Sequence, residues 1–329
     1  MLFDNRTFLV ENDESVLDCL LRHQVDVAYS CKSGSCHSCL LKAEQDDVSA
    51  IAQQGLKPTA IEQGFFLSCQ QKAALLAEAN YIDDKLLYIR AELVSKNNLA
   101  MDICQLFIKP EQPFTYRAGQ FINLKNPNGI VRSYSIANIP ADGSTLELHI
   151  HRKRNGLMSQ WIQDELNVGD CIDIQGPIGE CFYCTEELNS PITMIGTGTG
   201  AAPLLGILRD ALYQGHQGSI HFYHGARNFD SLYLHQSLLD IEAKYSNVNY
   251  RPSLSSDTDT SLEALAIDNG HCNDIALTEM IVSASTLLFL CGNPWMVKQT
   301  KTKAFLSGIA SGNIYTDPFE YKELRTKSR

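Results

Sequence analysis

The chain has 329 residues, 44% of them hydrophobic and 20% charged, with a formal net charge of −11. That balance excludes a disordered or fibrous protein and leaves room for two or three globular domains. The excess of 38 acidic over 27 basic residues argues against nucleic acid as a partner.

Residues 1–10 predict a strand with mixed alternation. Asn12 or Asp13 is expected to cap a helix running to Gln24, with Val16, Leu17, Leu20 and Leu21 on one face. Cys31, Cys36 and Cys39 follow with Cys-x4-Cys-x2-Cys spacing. After a strand-like Leu40 to Ala43, the run Phe65 to Cys69 brings in a fourth cysteine. This is the plant-type ligand pattern for a [2Fe–2S] cluster. Three thiolates on one tight loop reach one side of a small cluster, the distant fourth closes the other, and soft sulfur suits the iron. Ser30, Lys32, Ser33, Gly34, Ser35 and Ser38 surround the ligands, and small residues let backbone N–H groups turn toward sulfur. A zinc site is the competing reading, but zinc sites pair two short hooks and only one is present. The result is a small α+β module over residues 1–83. It carries 12 acidic against 6 basic residues, which suits a basic docking partner or plain solubility.

From Lys85 the texture changes. Leu86 to Val94, Ile103 to Ile108, Gln120 to Leu124, Ser133 to Ala137, Leu146 to His151 and Cys171 to Ile174 are short β-like runs. Turns such as Asn126-Pro127-Asn128-Gly129 and Gly176-Pro177 separate them, which predicts a small antiparallel barrel over residues 84–187. One helix, Met158 to Leu166, interrupts it. Arg132-Ser133-Tyr134-Ser135 lies on a barrel strand. Arginine can fork onto a phosphate, tyrosine can lie flat on an isoalloxazine ring, and a serine hydroxyl or N–H can bond the ring's N5 edge. An exposed strand with no ligand fits those four residues alone equally well. Gly156-Leu157-Met158-Ser159 opens the helix, where free N–H groups and the dipole suit a pyrophosphate. His149-Ile150-His151 and then Arg152, Lys153 and Arg154 precede it. Lys153 and Arg154 read as a solvated turn.

After Pro191 the pattern becomes strand, glycine loop, helix: Ile192 to Ile195, Gly196 to Ala202, Pro203 to Leu212. Ile220 to Tyr223, Val248 to Leu254 and Leu287 to Leu290 recur as strands between helical stretches. This predicts a doubly wound α/β domain over residues 188–329. The glycine loop Gly196-Thr197-Gly198-Thr199-Gly200 admits close backbone approach to a phosphate. Cys291-Gly292-Asn293-Pro294 follows a buried strand at the sheet's carboxyl end, where α/β folds bind ligands. A plain strand-to-helix connection with proline at the helix start is the alternative.

The other seven of the 11 cysteines are scattered, which suits a reducing cytoplasm better than a disulfide framework. Cys181-x2-Cys184 has dithiol spacing but reads as two ordinary thiols. Met1 to Val10 carries Asp4, Asn5 and Arg6 where a secretory leader would be apolar, and no apolar run approaches the roughly 20 residues of a membrane span.

Together these motifs resemble the ferredoxin–flavin reductase components of bacterial ring-hydroxylating dioxygenase systems. The chain is similar in particular to the naphthalene- and benzoate-dioxygenase reductases, within the ferredoxin–NADP⁺ reductase superfamily. The resemblance implies a β-grasp [2Fe–2S] ferredoxin, an antiparallel β-barrel that binds FAD, and a doubly wound domain for NADH or NADPH. It makes Cys31, Cys36, Cys39 and Cys69 the iron ligands. Arg132, Ser133, Tyr134, Ser135, His149, Ile150, His151, Gly156, Leu157, Met158 and Ser159 would bind FAD. Gly198, Thr199, Gly200, Gly225, Arg227, Asp230, Cys291, Gly292 and Pro294 would bind the nicotinamide nucleotide. Tyr134, Ser135, Cys291 and Phe319, the last in a closing Tyr-x-Asp-x-Phe motif, would stand at the reacting rings.

Three departures from the family pattern stand out. His37 replaces a glycine beside Cys36, and a surface position is expected to tolerate it. His151 replaces a basic residue, so a phosphate contact would weaken or pass to Arg152. Asn155 replaces a glycine, and asparagine tolerates a left-handed backbone. Arg227 leaves NADPH open, while Asp230 as a ribose acceptor favours NADH. The implied activity passes electrons from NAD(P)H through FAD and the cluster to a terminal oxygenase or a Rieske-type ferredoxin. Reductases of diiron monooxygenases (methane, phenol or toluene type) or of deoxysugar dehydratases are close alternatives. A redox sensor without turnover and a free flavin reductase are more distant ones.

Overall fold

The computed structural model describes residues 1–44, 47–184, 187–256 and 266–320. The amino-terminal unit begins with β1 (Leu2–Phe3) and β2 (Arg6–Thr7), paired antiparallel. The single strand expected over residues 1–10 is therefore a hairpin. Asp4 and Asn5 both take positive φ, 46° and 62°, the geometry of a tight turn that matches strand twist. Helix α1 (Val16–Arg22) starts later than expected, because Ser15 rather than Asn12 or Asp13 caps it. The Ser15 hydroxyl accepts from the Asp18 amide at 3.1 Å, while Asp13 pairs with Lys72. Strand β3 (Leu40–Lys42), helix α2 (Pro58–Glu62), strand β4 (Phe65–Leu67) and β5 (Glu78–Ala79) complete the unit. The order β2-β1-β5 in one sheet and the β3-β4 pair enclose a core of Phe3, Leu17, Leu20, Leu41 and Phe66.

A short helix α3 (Asp84–Leu87), capped by Asp83, occupies the first residues expected of a strand. Strand β6 (Ile89–Ala100) then runs well past Val94. With β7 (Ile103–Pro110), β8 (Phe121–Lys125), β9 (Val131–Ser135), β10 (Leu146–His151) and β11 (Cys171–Ile178) it makes an antiparallel sheet, ordered β10-β7-β6-β11-β8-β9. A single bridge, Ile136 to Leu148, brings the two edges of this sheet together, so it curls into a barrel-like form rather than a fully hydrogen-bonded cylinder. Helix α4 (Leu157–Asp164) follows β10 and buries Met158 and Ile162 in the barrel core.

The carboxyl-terminal unit alternates β12 (Ile192–Thr197), α5 (Ala201–Tyr213), β13 (Ile220–Ala226), α6 (His235–Lys244), β14 (Val248–Leu254), β15 (Asp268–Asn269), α7 (Cys272–Glu279), β16 (Leu287–Gly292), α8 (Pro294–Leu306) and β17 (Ile314–Pro318). All pairings are parallel in the order β15-β14-β13-β12-β16-β17. Apolar clusters cover both faces, which is why its strands read as continuous hydrophobic runs rather than alternating ones. Strand order reverses between β12 and β16, so the glycine loop and the Cys291–Pro294 segment meet at the switch point.

Candidate functional site

The four expected iron ligands converge, and they do so as two pairs. Cys31 lies against Cys36, and Cys39 against Cys69. Among the described residues no three His, Cys, Asp or Glu side chains close around a single ion. Two thiol pairs fit a binuclear cluster with two thiolates per iron, and they do not fit one tetrahedral zinc. The amides of Ser33 and Cys36 each donate to Cys31 Sγ at 3.3 Å, and that of Cys31 to Cys36 Sγ at 3.3 Å. Backbone donors therefore aim at sulfur, as cluster tuning requires. The Cys36 side chain lowers the pKa of Cys31, while Cys31 and burial push that of Cys36 well up.

His37 is half-buried, not at the surface as expected, and it takes φ 54°. That left-handed backbone accounts for glycine at this position in the family pattern; histidine is among the residues that tolerate it. Its ring stands over Gly55 and faces a cleft.

This cleft, about 570 Å³, is the meeting place of all three units. Its lining includes Cys31, Cys36 and His37, then Arg132 to Ser135, and Thr316 to Glu320 of the carboxyl-terminal strand and its extension. The volume lies in the range of cofactor sites. His149, His151, Gly156, Leu157, Met158, Ser159 and Thr199 also line it. No side chain caps the Gly156 end of α4, so its first amides remain for an anion. The Ser159 hydroxyl accepts from the Lys153 amide at 3.0 Å and donates to the Gly156 carbonyl, which fixes the turn before the helix. Asn155 takes φ 62°, as its replacement of glycine suggested.

Several side chains lie elsewhere than expected. Ile150 is fully buried in the barrel core, because neighbours on a strand face opposite ways and His149 and His151 take the cleft side. Arg152 grips Asp164 through both guanidinium nitrogens at 2.5 and 2.7 Å instead of standing in for a phosphate contact. Lys153, read as a solvated residue, is half-buried and lines the cleft. Burial lowers its pKa, and Arg227 across the domain boundary adds to that effect. His151 binds Asp102 at 2.6 Å. Arg227 and Asp230 are both exposed.

The nicotinamide loop combines two constraints on glycine. Gly198 takes φ 55° with open space beside it, while a Cβ on Gly200 would stand 2.4 Å from the Cys291 carbonyl oxygen. Gly225 is similarly closed, with Cys272 Sγ 2.6 Å from such a Cβ. The thiol of Cys291 is fully buried, 3.7 Å from Cys181 Sγ. Asn293 caps α8 by accepting from the Trp295 and Met296 amides, and Pro294 starts the helix. The Phe319 amide donates to the Gly292 carbonyl at 2.7 Å, which places Phe319 at the cleft.

Two contacts that shape the cleft were not readable from spacing along the chain. Asp317 is half-buried at the cleft, accepts from the Ser135 hydroxyl at 2.6 Å, and is pushed up to about 6 by the loss of solvent around it. Asn123 of β8 donates to the carbonyl of Cys36 at 2.8 Å. A Ser three residues from the Arg132 end and an Asp in the closing motif were visible in the sequence, but their contact spans 182 positions.

Three family models match in this order: a 2Fe-2S iron-sulfur cluster binding domain over residues 3–74, an oxidoreductase FAD-binding domain over 90–183 and an oxidoreductase NAD-binding domain over 194–302. The chain is 29% identical to the reductase component of the naphthalene 1,2-dioxygenase/salicylate 5-hydroxylase systems of Ralstonia sp, with 94% of each chain covered. It is 27% identical to the CDP-6-deoxy-L-threo-D-glycero-4-hexulose-3-dehydrase reductase of Yersinia pestis, with 95% of each covered. Among solved structures, an Amycolatopsis cytochrome P450 reductase superposes with a TM-score of 0.68 at 25% identity, covering 96% of this chain and 97% of that one. The chain belongs to the NAD(P)H-dependent iron–sulfur flavoprotein reductases, which pass electrons through FAD and a [2Fe–2S] centre.

Proposed function

We propose that this reductase takes electrons from NADH and delivers them from its cluster to a ring-hydroxylating oxygenase or to that oxygenase's Rieske-type ferredoxin. The cleft carries this reading, because it puts the cluster loop, the flavin strand and the carboxyl-terminal strand against one space. When bound along Arg132 to Ser135, FAD would supply hydride acceptance and one-electron release, and a cluster held by Cys31, Cys36, Cys39 and Cys69 would supply single-electron transfer.

The chain's own groups have separable tasks. Arg132, Lys153 and the α4 amides hold the pyrophosphate, and Tyr134 supplies a flat face to the ring. Ser135 presents its hydroxyl at the cleft, oriented by Asp317. Ser133 commits its hydroxyl proton to Asn123 at 2.7 Å, so its part in flavin binding falls to its backbone. His149 has both ring nitrogens engaged, by Tyr233 at 3.0 Å and Glu147 at 2.9 Å, and lines the cleft without a nitrogen to spare. Gly198, Thr199 and Gly200 hold the nicotinamide nucleotide's phosphates, and Gly292 to Pro294 with Phe319 form the lip over which the nicotinamide enters. The exposed Asp230 supports NADH through the ribose hydroxyls.

We place the domain boundaries near residues 83 and 187. Cytoplasmic residence is supported by the seven cysteines outside the cluster loop and its fourth ligand, which are scattered and form no disulfide framework. No helix among the described residues is long and apolar enough to cross a membrane. Reconstitution tests the acceptor. Purified protein, NADH and a ring-hydroxylating oxygenase system should give coupled product formation. Coupling only with a deoxysugar dehydratase or a diiron monooxygenase would overturn the assignment of partner while leaving the reductase intact. A saturating rate with NADPH at tenfold lower concentration than with NADH would overturn the nucleotide assignment.

A further inference from the structure

The amide of Asn123 is wholly buried and joins three chain segments. Its Nδ2 donates to the Cys36 carbonyl at 2.8 Å and to Gln175 Oε1 at 2.8 Å, and its Oδ1 accepts from the Ser133 hydroxyl at 2.7 Å. Both N–H groups are used. The orientation of the amide follows from Cys36, whose backbone carbonyl can only accept. Cys36 belongs to the cluster loop and Ser133 to the flavin strand, and both line the same cleft. A second bond from the loop to the carboxyl-terminal segment, Ser33 to Glu320 at 3.0 Å, is exposed and open to competition from water.

We propose that Asn123 is a positioning residue for electron passage, fixing the cluster loop against the flavin strand through the Cys36 carbonyl. The step it serves moves one electron from the reduced flavin to the oxidised cluster, and no bond is made or broken at Asn123. The rate of such a step falls steeply with separation, so a buried bond to the backbone of a ligand residue sets it directly. The side chain touches neither sulfur nor the nicotinamide site. Its removal therefore alters where the loop sits and leaves hydride acceptance unchanged.

The test uses the full chain loaded with both cofactors, comparing wild type with Asn123→Ala, Asn123→Leu and, as a control that keeps the Cys36 bond, Gln175→Met. Anaerobic stopped-flow with NADH reads flavin and cluster bleaching separately. Hydrogen exchange reads the amides of residues 31–39, and a redox titration reads the cluster's potential. In both Asn123 variants flavin bleaching keeps its wild-type rate, and cluster bleaching slows by roughly tenfold or more, as small misplacements of reacting groups do. Exchange over residues 31–39 rises, the potential stays in place, and Gln175→Met resembles wild type. Unchanged cluster bleaching in both Asn123 variants overturns the proposal. So does equal slowing in Gln175→Met, a shifted potential that accounts for the slowing, or loss of the cluster from both variants. Wild-type protein that NADH fails to bleach would instead overturn the reductase reading itself.

Discussion

Asp317 is a cleft carboxyl whose surroundings change its protonation. Burial raises its carboxyl from the usual 3.8 to about 6, against the opposing pull of the Ser135 hydroxyl. Between those values the folded chain binds more protons than the unfolded chain, so this group's contribution to stability falls as pH rises through the window and is level above it. Relative to wild type, Asp317→Asn should therefore gain up to about 3 kcal/mol between pH 4 and pH 7, read by urea denaturation across that range. Gly200 is constrained by shape rather than charge. An added Cβ there would press on the Cys291 carbonyl and on Gly292 Cα, 2.7 Å away, both backbone. Gly200→Ala should lower stability by about 1–3 kcal/mol and raise the KM for NADH, measured by thermal unfolding and steady-state kinetics. The convergence of Cys31 and Cys36 was legible at this scale because thiol spacing along one loop is a local property. Asn123, Asp317 and Lys153 were not, because each acquires its role from a partner brought in by folding.

Strand β10 meets helix α5 through a buried polar network. Glu147 accepts from Gln105 at 2.6 Å and from Arg209 at 2.9 Å, with His149 Nε2 2.9 Å away. Burial alone would raise its pKa, but His149, Arg209 and Gln105 outweigh that and hold it at about 2. A depressed carboxyl contributes stability that is present above the unfolded value, near 4.5, and is lost as pH falls toward 2. Glu147→Gln should cost about 2–3 kcal/mol at pH 7 and flatten the acid limb of a denaturation profile. Because Tyr233 and Arg209 belong to the nicotinamide unit, this network also couples that unit to the barrel. Elements of the α/β unit were legible from long apolar strands and the glycine loop. The amino-terminal strands were not, because two-residue strands such as β1 and β2 carry no period to read. At α3, the Asp83 cap overrode a β-like run.

Across the whole molecule, the order of cluster, flavin and nicotinamide motifs was plain in the sequence, since each is a local pattern. Their convergence on one cleft was not, because it depends on contacts such as Asn123 to Cys36, 87 positions apart. That convergence gives electrons a route out of the flavin through the cluster. The most direct measurement compares two acceptors in wild type and Cys36→Ala, with FAD content matched. Ferricyanide draws electrons from the flavin, and cytochrome c draws them from the cluster. Cys36→Ala should keep NADH-driven ferricyanide reduction near wild type and lose cytochrome c reduction. Survival of both activities at wild-type rates would contradict it.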